Sequence, residues 1–164
     1  MLLYHFTAHE YLPEIALLGL TKGEVPLSST EHRNAVWLTS DGQAAGHGLI
    51  DGRELTAREK QLAGIPLHQP ARFPNKRALR MKVAIPRGDR ALASWPLWAQ
   101  KRMTPQWYAT LNCTGGNKAR TWFLYWGTID PSWIREVLDL SSGSVIEDWQ
   151  TLPDLVPGHD ELRA

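Results

Sequence analysis

The first fifty residues leave this chain few ways to fold. Leu2-Leu3-Tyr4 with Phe6 reads as a short buried strand, and its end carries Tyr4-His5-Phe6-Thr7. Thr7 and Glu10 have the spacing of a capping box, but Pro13 would cost an interior hydrogen bond in a helix begun there. The spacing therefore predicts a helix from near Tyr11, with Pro13 in its first turn and Leu12, Ile15, Ala16 and Leu18 facing the core. Gly19 followed by Leu20 is what a left-handed cap with a hydrophobic contact beyond it needs. After a polar loop over 22–33, residues 35–38 are apolar on both faces, as in a central strand. Ser40 or Asp41 is expected to cap a short helix over 43–45, ended by Gly46-His47-Gly48. A histidine at the mouth of one strand and a tryptophan in the next make a frame for a crevice.

The remainder is strand-rich. Residues 53–63 read as a charged helix closed by Gly64 and Pro66, and 66–74, with three prolines and no periodicity, as an insertion loop. Leu79, Met81, Val83 and Ile85 alternate with Arg80, Lys82 and Ala84, which predicts a strand with one wet face. Ser94 is placed to cap a helix over 95–102, and Thr104-Pro105 to start another through Leu111. Residues 112–118 read as a Gly-containing loop, and 121–126 as the most strand-like stretch of the chain. Asp130-Pro131 starts a single helical turn and 136–140 forms a last strand. From about residue 141 an acidic tail follows, with one hydrophobic patch at Trp149. Short helices, dominant strands and irregular crossovers predict an α+β fold rather than a doubly wound sheet, as one domain over 1–164.

Composition narrows the classes of function. A net charge of +1 over 164 residues gives no global pull toward nucleic acid or membrane. No apolar run approaches the roughly 20 residues that span a bilayer. The single cysteine, Cys113, excludes an internal disulfide and suits a reducing compartment; it reads as a plain thiol. The N-terminus lacks the basic region of a signal peptide, so a cytoplasmic protein is expected. Six scattered histidines and one cysteine show no zinc spacing. Eight tryptophans are heavy for this length, and Trp95, Trp98, Trp107 and Trp133 are expected to plug one side of the sheet. A basic segment holds Arg72, Lys76, Arg77, Arg80, Lys82, Arg87 and Arg90, with Asp89 the one acid among them. It serves either as a phosphate-steering run or as a solvated edge that discourages strand pairing. Residues 114–118 offer a weak anion-nest signal, since they precede a strand and not a helix.

On residue type alone, His5 is a buried hydrogen-bonded side chain or a ligand contact, and Trp37 a core residue or a flat stacking surface. Their settings add a resemblance. Tyr4-His5-Phe6-Thr7, followed by Leu12-Pro13-Glu14-Ile15 and Gly19-Leu20, resembles the first motif of the ADP-ribosyltransferase fold. That fold is shared by poly(ADP-ribose) polymerases, DNA-targeting ADP-ribosyltransferase toxins and RNA 2′-phosphotransferases. The resemblance implies a split mixed or antiparallel sheet with short helices. It also implies that His5 hydrogen-bonds the ribose of NAD and that Thr7 helps to position the nicotinamide.

Ala35-Val36-Trp37-Leu38-Thr39-Ser40-Asp41 resembles the second motif, which implies that Trp37 and Thr39 lie along the nicotinamide-ribose. His47 falls near the position of a second aromatic. The third motif matches Thr121-Trp122-Phe123-Leu124-Tyr125, with Thr121 where the polymerase branch has its catalytic Glu. A hydroxyl holds a ribose but does not offset positive charge, so slow or altered chemistry is expected, with Glu136 as the acid able to reach in. In the phosphotransferase branch, arginines hold the phosphate, and Arg80 is the nearest substitute here. The resemblance thus implies NAD-dependent ADP-ribosyl transfer to a protein or nucleic-acid acceptor, or to water, as in toxins and phage-encoded effectors. The alternatives are an RNA 2′-phosphotransferase-like enzyme and a degenerate domain that binds ADP-ribose, nucleic acid or protein without turnover.

Overall fold

In β5 (Leu79–Ala84), Leu79, Met81 and Val83 are fully buried while Arg80, Lys82 and Ala84 between them are half-exposed. The alternation seen in the sequence is thus one dry face and one wet face of a strand. The computed structural model describes residues 1–151, so the acidic tail beyond Thr151 lies outside the described residues.

Around β5 a six-stranded sheet is ordered β6-β7-β4-β1-β5-β8, from β1 (Leu2–Thr7), β4 (Val36–Thr39), β6 (Leu92–Ser94), β7 (Trp122–Tyr125) and β8 (Ile134–Asp139). A hairpin of β2 (Glu24–Pro26) and β3 (His32–Asn34) stands apart. Among the described residues every strand pairing is antiparallel, without the mixed character that was one of the two expectations. β4 is central, as its apolar faces predicted. β1 pairs with β5 along its whole length, from Leu2 opposite Ala84 to Thr7 opposite Leu79, yet it meets β4 only where Tyr4 faces Thr39. The sheet therefore loosens between β1 and β4, while β4 stays paired with β7 from Val36 opposite Tyr125 to Thr39 opposite Trp122.

Two cores lie on the two faces. Leu3, Leu38, Met81, Val83, Tyr125 and Val137 pack with α1 (Leu12–Leu18) through Leu12 and Ile15, and with Trp149 of the tail. On the other face Trp122 and Leu124 pack with α3 (Trp95–Arg102) through Trp95 and Ala99, joined by Trp37, Trp98 and Trp107. The tryptophans divide, for Trp133 packs against the α1-side core and not with the other three. Alternation along β7 links the two sets, for Tyr125 meets Trp133 edge-on at 6.1 Å on one face and Trp122 meets Trp95 at 5.2 Å on the other.

α1 begins one residue after Tyr11 with Pro13 in its first turn, as predicted, following a 3-10 turn over His9–Tyr11. Gly19 ends it, but at φ 78° and ψ −168°, outside the left-handed helical region. Its N–H reaches the Ile15 carbonyl, while Leu20 pairs with Ile129. A Cβ on Gly19 would sit 2.1 Å from the Ile129 carbonyl oxygen, so the close approach of two backbones requires glycine here.

Several sequence expectations are corrected. The polar stretch 22–33 is not all loop, because β2 and most of β3 form a hairpin within it. No helix forms over 43–45: the Asp41 carboxylate accepts the Gln43 N–H at 2.9 Å and closes a turn instead. The charged helix is shorter, α2 (Ala57–Leu62), with a complete Thr56–Glu59 capping box. Residues 112–118 are no loop, because α4 (Pro105–Gly115) continues through them into a 3-10 turn over Gly116–Thr121.

Candidate functional site

Where β1 and β4 part, His5 bridges them. Its Nδ1 lies 2.9 Å from the Trp37 carbonyl oxygen. A carbonyl only accepts, so the ring carries its proton on Nδ1 and Nε2 keeps a lone pair. Burial holds the His5 pKa below its ordinary 6.5, the Trp37 hydrogen bond opposes this, and the nearby Lys76 charge adds to the lowering. The imidazole is neutral at pH 7.

Two cavities meet at this point. The larger, about 590 Å³, is walled by His5, Thr7, α1 residues Tyr11, Glu14 and Ile15, the segment 19–24 and the β3 residues His32, Arg33 and Asn34. The smaller, about 260 Å³, is walled by aromatic side chains, among them Tyr4, Phe6, Trp37 and Trp122, with Thr39 and His47. His5, Phe6, Lys22, Gly23, Glu24 and Lys76 line both. Together they fall within the size range of ligand clefts.

Register fixes how the side chains are shared out. Tyr4 and Thr39 are opposite one another, so Tyr4, Phe6, Trp37 and Thr39 share one face, while His5 and Thr7 point to the other. The His5 and Trp37 side chains thus belong to opposite faces of the sheet, and both line the smaller cavity. Trp37 is fastened in place: its Nε1 donates to the Glu24 carbonyl at 3.0 Å, and it meets Trp122 edge-on at 5.5 Å and Trp95 at 6.2 Å. It forms a wall held on its inner side by two other indoles.

His47 is the mirror of His5. Indole N–H only donates, and Trp122 Nε1 lies 2.7 Å from His47 Nδ1, so the His47 proton sits on Nε2. That nitrogen is buried without a hydrogen-bond partner, 4.0 Å from Asp41 Oδ2. Burial, then the Lys118 charge, keeps the His47 pKa low, against the opposing pull of Asp41. Asp41 itself is held by Lys118 at 2.7 Å, which lowers its pKa.

Five of the residues singled out in the sequence line the cleft: His5, Thr7, Trp37, Thr39 and His47. Three lie outside both cavities. Thr121 donates its hydroxyl proton to the Lys118 carbonyl at 2.7 Å, so the 2.7 Å contact with Thr39 Oγ1 has Thr39 as donor. Its one proton is committed, and it buttresses Thr39 from behind. Glu136 pairs with Arg80 at 3.5 Å. Arg80 also donates to the Gly42 carbonyl and lies over the Tyr4 ring at 5.2 Å, which ties β5 to the chain after β4. Sequence reasoning missed Tyr11, Glu14, Lys22, Glu24 and Arg33 as wall residues, and it placed Lys76 in a basic run without assigning it to the site. Glu24 and Arg33 reach His5 on the folded hairpin, Tyr11 and Glu14 from the start of α1, and Lys22 and Lys76 from the connections before β2 and β5.

Among the described residues, no group of three His, Cys, Asp or Glu could hold a metal ion, and no helix is long and apolar enough to cross a membrane. No family model, curated protein or solved structure matches the chain.

Proposed function

We propose that this cleft binds NAD and that the chain transfers ADP-ribose from it to a macromolecular acceptor or to water. The observation that carries the reading is His5: a neutral imidazole at the junction of two cavities, with Nδ1 occupied by the parting strands and Nε2 left as an acceptor. A ribose hydroxyl can donate to that nitrogen, which orients the sugar at the junction. In the transfer, the bond from the ribose C1′ to the nicotinamide nitrogen breaks and its electron pair leaves with nicotinamide. C1′ then takes an oxygen or nitrogen of the acceptor, whose proton passes to a base. Positive charge gathers on the ribose as the bond opens, and a carboxylate aimed there lowers the barrier. Glu24 is the acid that lines both cavities, so it takes this part rather than Thr121 or Glu136, with Oε1 held by His32 and Oε2 turned to the ribose.

The commitment of Thr121 and the Arg80–Glu136 pair favour a second reading, a domain that holds ADP-ribose without turnover. Nicotinamide release from NAD, followed by chromatography, separates the two. The transfer reading predicts release that falls about 100-fold or more in His5→Ala, the usual scale for losing a positioned polar group. Wild-type protein that is stabilised by ADP-ribose but releases no nicotinamide leaves the binding domain; absence of both effects removes NAD altogether.

A further inference from the structure

The acids of the larger cavity are already engaged. Glu14 is in close contact with Lys22, and Glu24 meets His32 Nδ1 at 2.6 Å. Two cations of the cleft, Arg33 and Lys76, make no ion pair among the described residues. Lys76 stands at the waist, lining both cavities, solvent-exposed and near enough to bear on the His5 ring. An uncompensated ammonium between an aromatic lobe and a mixed polar lobe has a natural complement: an anionic linker with a ring system on either side.

We propose that Lys76 grips the diphosphate of a dinucleotide, with one ring in the aromatic lobe beside Trp37 and the other in the lobe under α1. Arg33, which lines the larger lobe, adds a second positive charge to the cleft. The identity of the rings rests on the NAD reading above, whereas the demand for a diphosphate rests on the charge arrangement alone. A lone nucleobase or nucleoside fills one lobe and leaves the waist cation unmatched. The basic run 72–90 thus divides in function, Lys76 facing ligand while Arg80 and Arg72 are spent on Glu136 and Glu54.

Isothermal titration of the full chain with ADP-ribose, ADP and adenosine, for the wild type, Lys76→Gln and Lys76→Arg, tests this. ADP-ribose and ADP are expected to bind at least tenfold more weakly to Lys76→Gln, with Lys76→Arg restoring most of the loss and adenosine unchanged throughout. Raised salt should weaken the wild type more than Lys76→Gln, because exposed charge is screened. Thermal unfolding of each variant should match the wild type, since the side chain is exposed. Equal affinity of ADP-ribose for wild type and Lys76→Gln overturns the assignment, even if NAD is turned over. Lys76-dependent binding of ADP without any NAD turnover upholds it while removing the transferase reading. Absence of ADP and ADP-ribose binding in the wild type overturns the assignment, and overturns the NAD reading with it when no nicotinamide is released either.

Discussion

His5 and His47 hold their protons at opposite ring nitrogens for the same reason: each has a neighbour that can play only one part in a hydrogen bond. The Trp37 carbonyl forces Nδ1–H on His5, and the Trp122 indole forces a bare Nδ1 on His47. Protonating His47 would set two N–H groups against each other, and protonating His5 would bury charge beside Lys76. Both native pKa values lie below the unfolded 6.5. Between the native values and 6.5 the unfolded chain binds more protons, so stability falls as pH drops through that window and is fully recovered above it. The slope is at most about 1.4 kcal/mol per pH unit for each histidine. Glu59 and Asp139, both near 2, and Asp41, also lowered, lose their contributions only as pH falls through the ordinary carboxylate range at 4.5 and below. Urea unfolding between pH 4.5 and 6.5 should therefore show a decline in the wild type that His5→Gln/His47→Gln flattens. An unchanged slope in the double variant would place the titration elsewhere.

At the scale of the element, α4 and β7 meet through a glycine. A Cβ on Gly115 would lie 2.4 Å from two ring carbons of Trp122, a side chain locked by its bond to His47 and by edge contacts with Trp95 and Trp37. Gly115 sits at φ −82°, a conformation open to alanine, and alanine would gain about 1 kcal/mol in helix propensity. The clash decides the sign, because overpacking a fixed ring costs about 1–3 kcal/mol. Gly115→Ala should lower the unfolding free energy, and Trp122 fluorescence should shift with it; a stabilised variant would mean that the ring moves freely. The same glycine explains why 112–118 read as a loop: Gly115-Gly116 looks like punctuation, and the sequence does not show that the first is there for contact. β1, β5 and β7 were legible because their side chains alternate or are β-branched and aromatic. β2 and β3 were not, since three residues each, including Pro26, give no period.

Across the whole molecule, legibility of the site stops where the chain must meet itself over long separations. His5, Trp37 and Thr39 could be read because each lies on a strand with a local pattern. Lys76, Glu24 and Arg33 come to the cleft only through the docking of a hairpin and a proline-rich crossover, which no local pattern encodes. The tail shows the same limit with a larger energetic stake. It read as acidic with an apolar patch, yet Trp149 is 6% exposed and belongs to the α1-side core, with Ile146 beside it. Backbone bonds carry the chain there: Asp139 N–H to the Ser144 carbonyl and Ile146 N–H to the Val137 carbonyl extend β8 into a strap over the sheet. Emptying such a site removes the burial of an indole and leaves a void, a loss of about 3–5 kcal/mol. That is a large share of the roughly 5–15 kcal/mol that holds a domain together. Trp149→Ala should lower the denaturation midpoint with the slope against denaturant nearly unchanged, since the variant still unfolds as one body. A midpoint equal to that of the wild type would show that the strap lies outside the cooperative unit and that the sheet face closes without it.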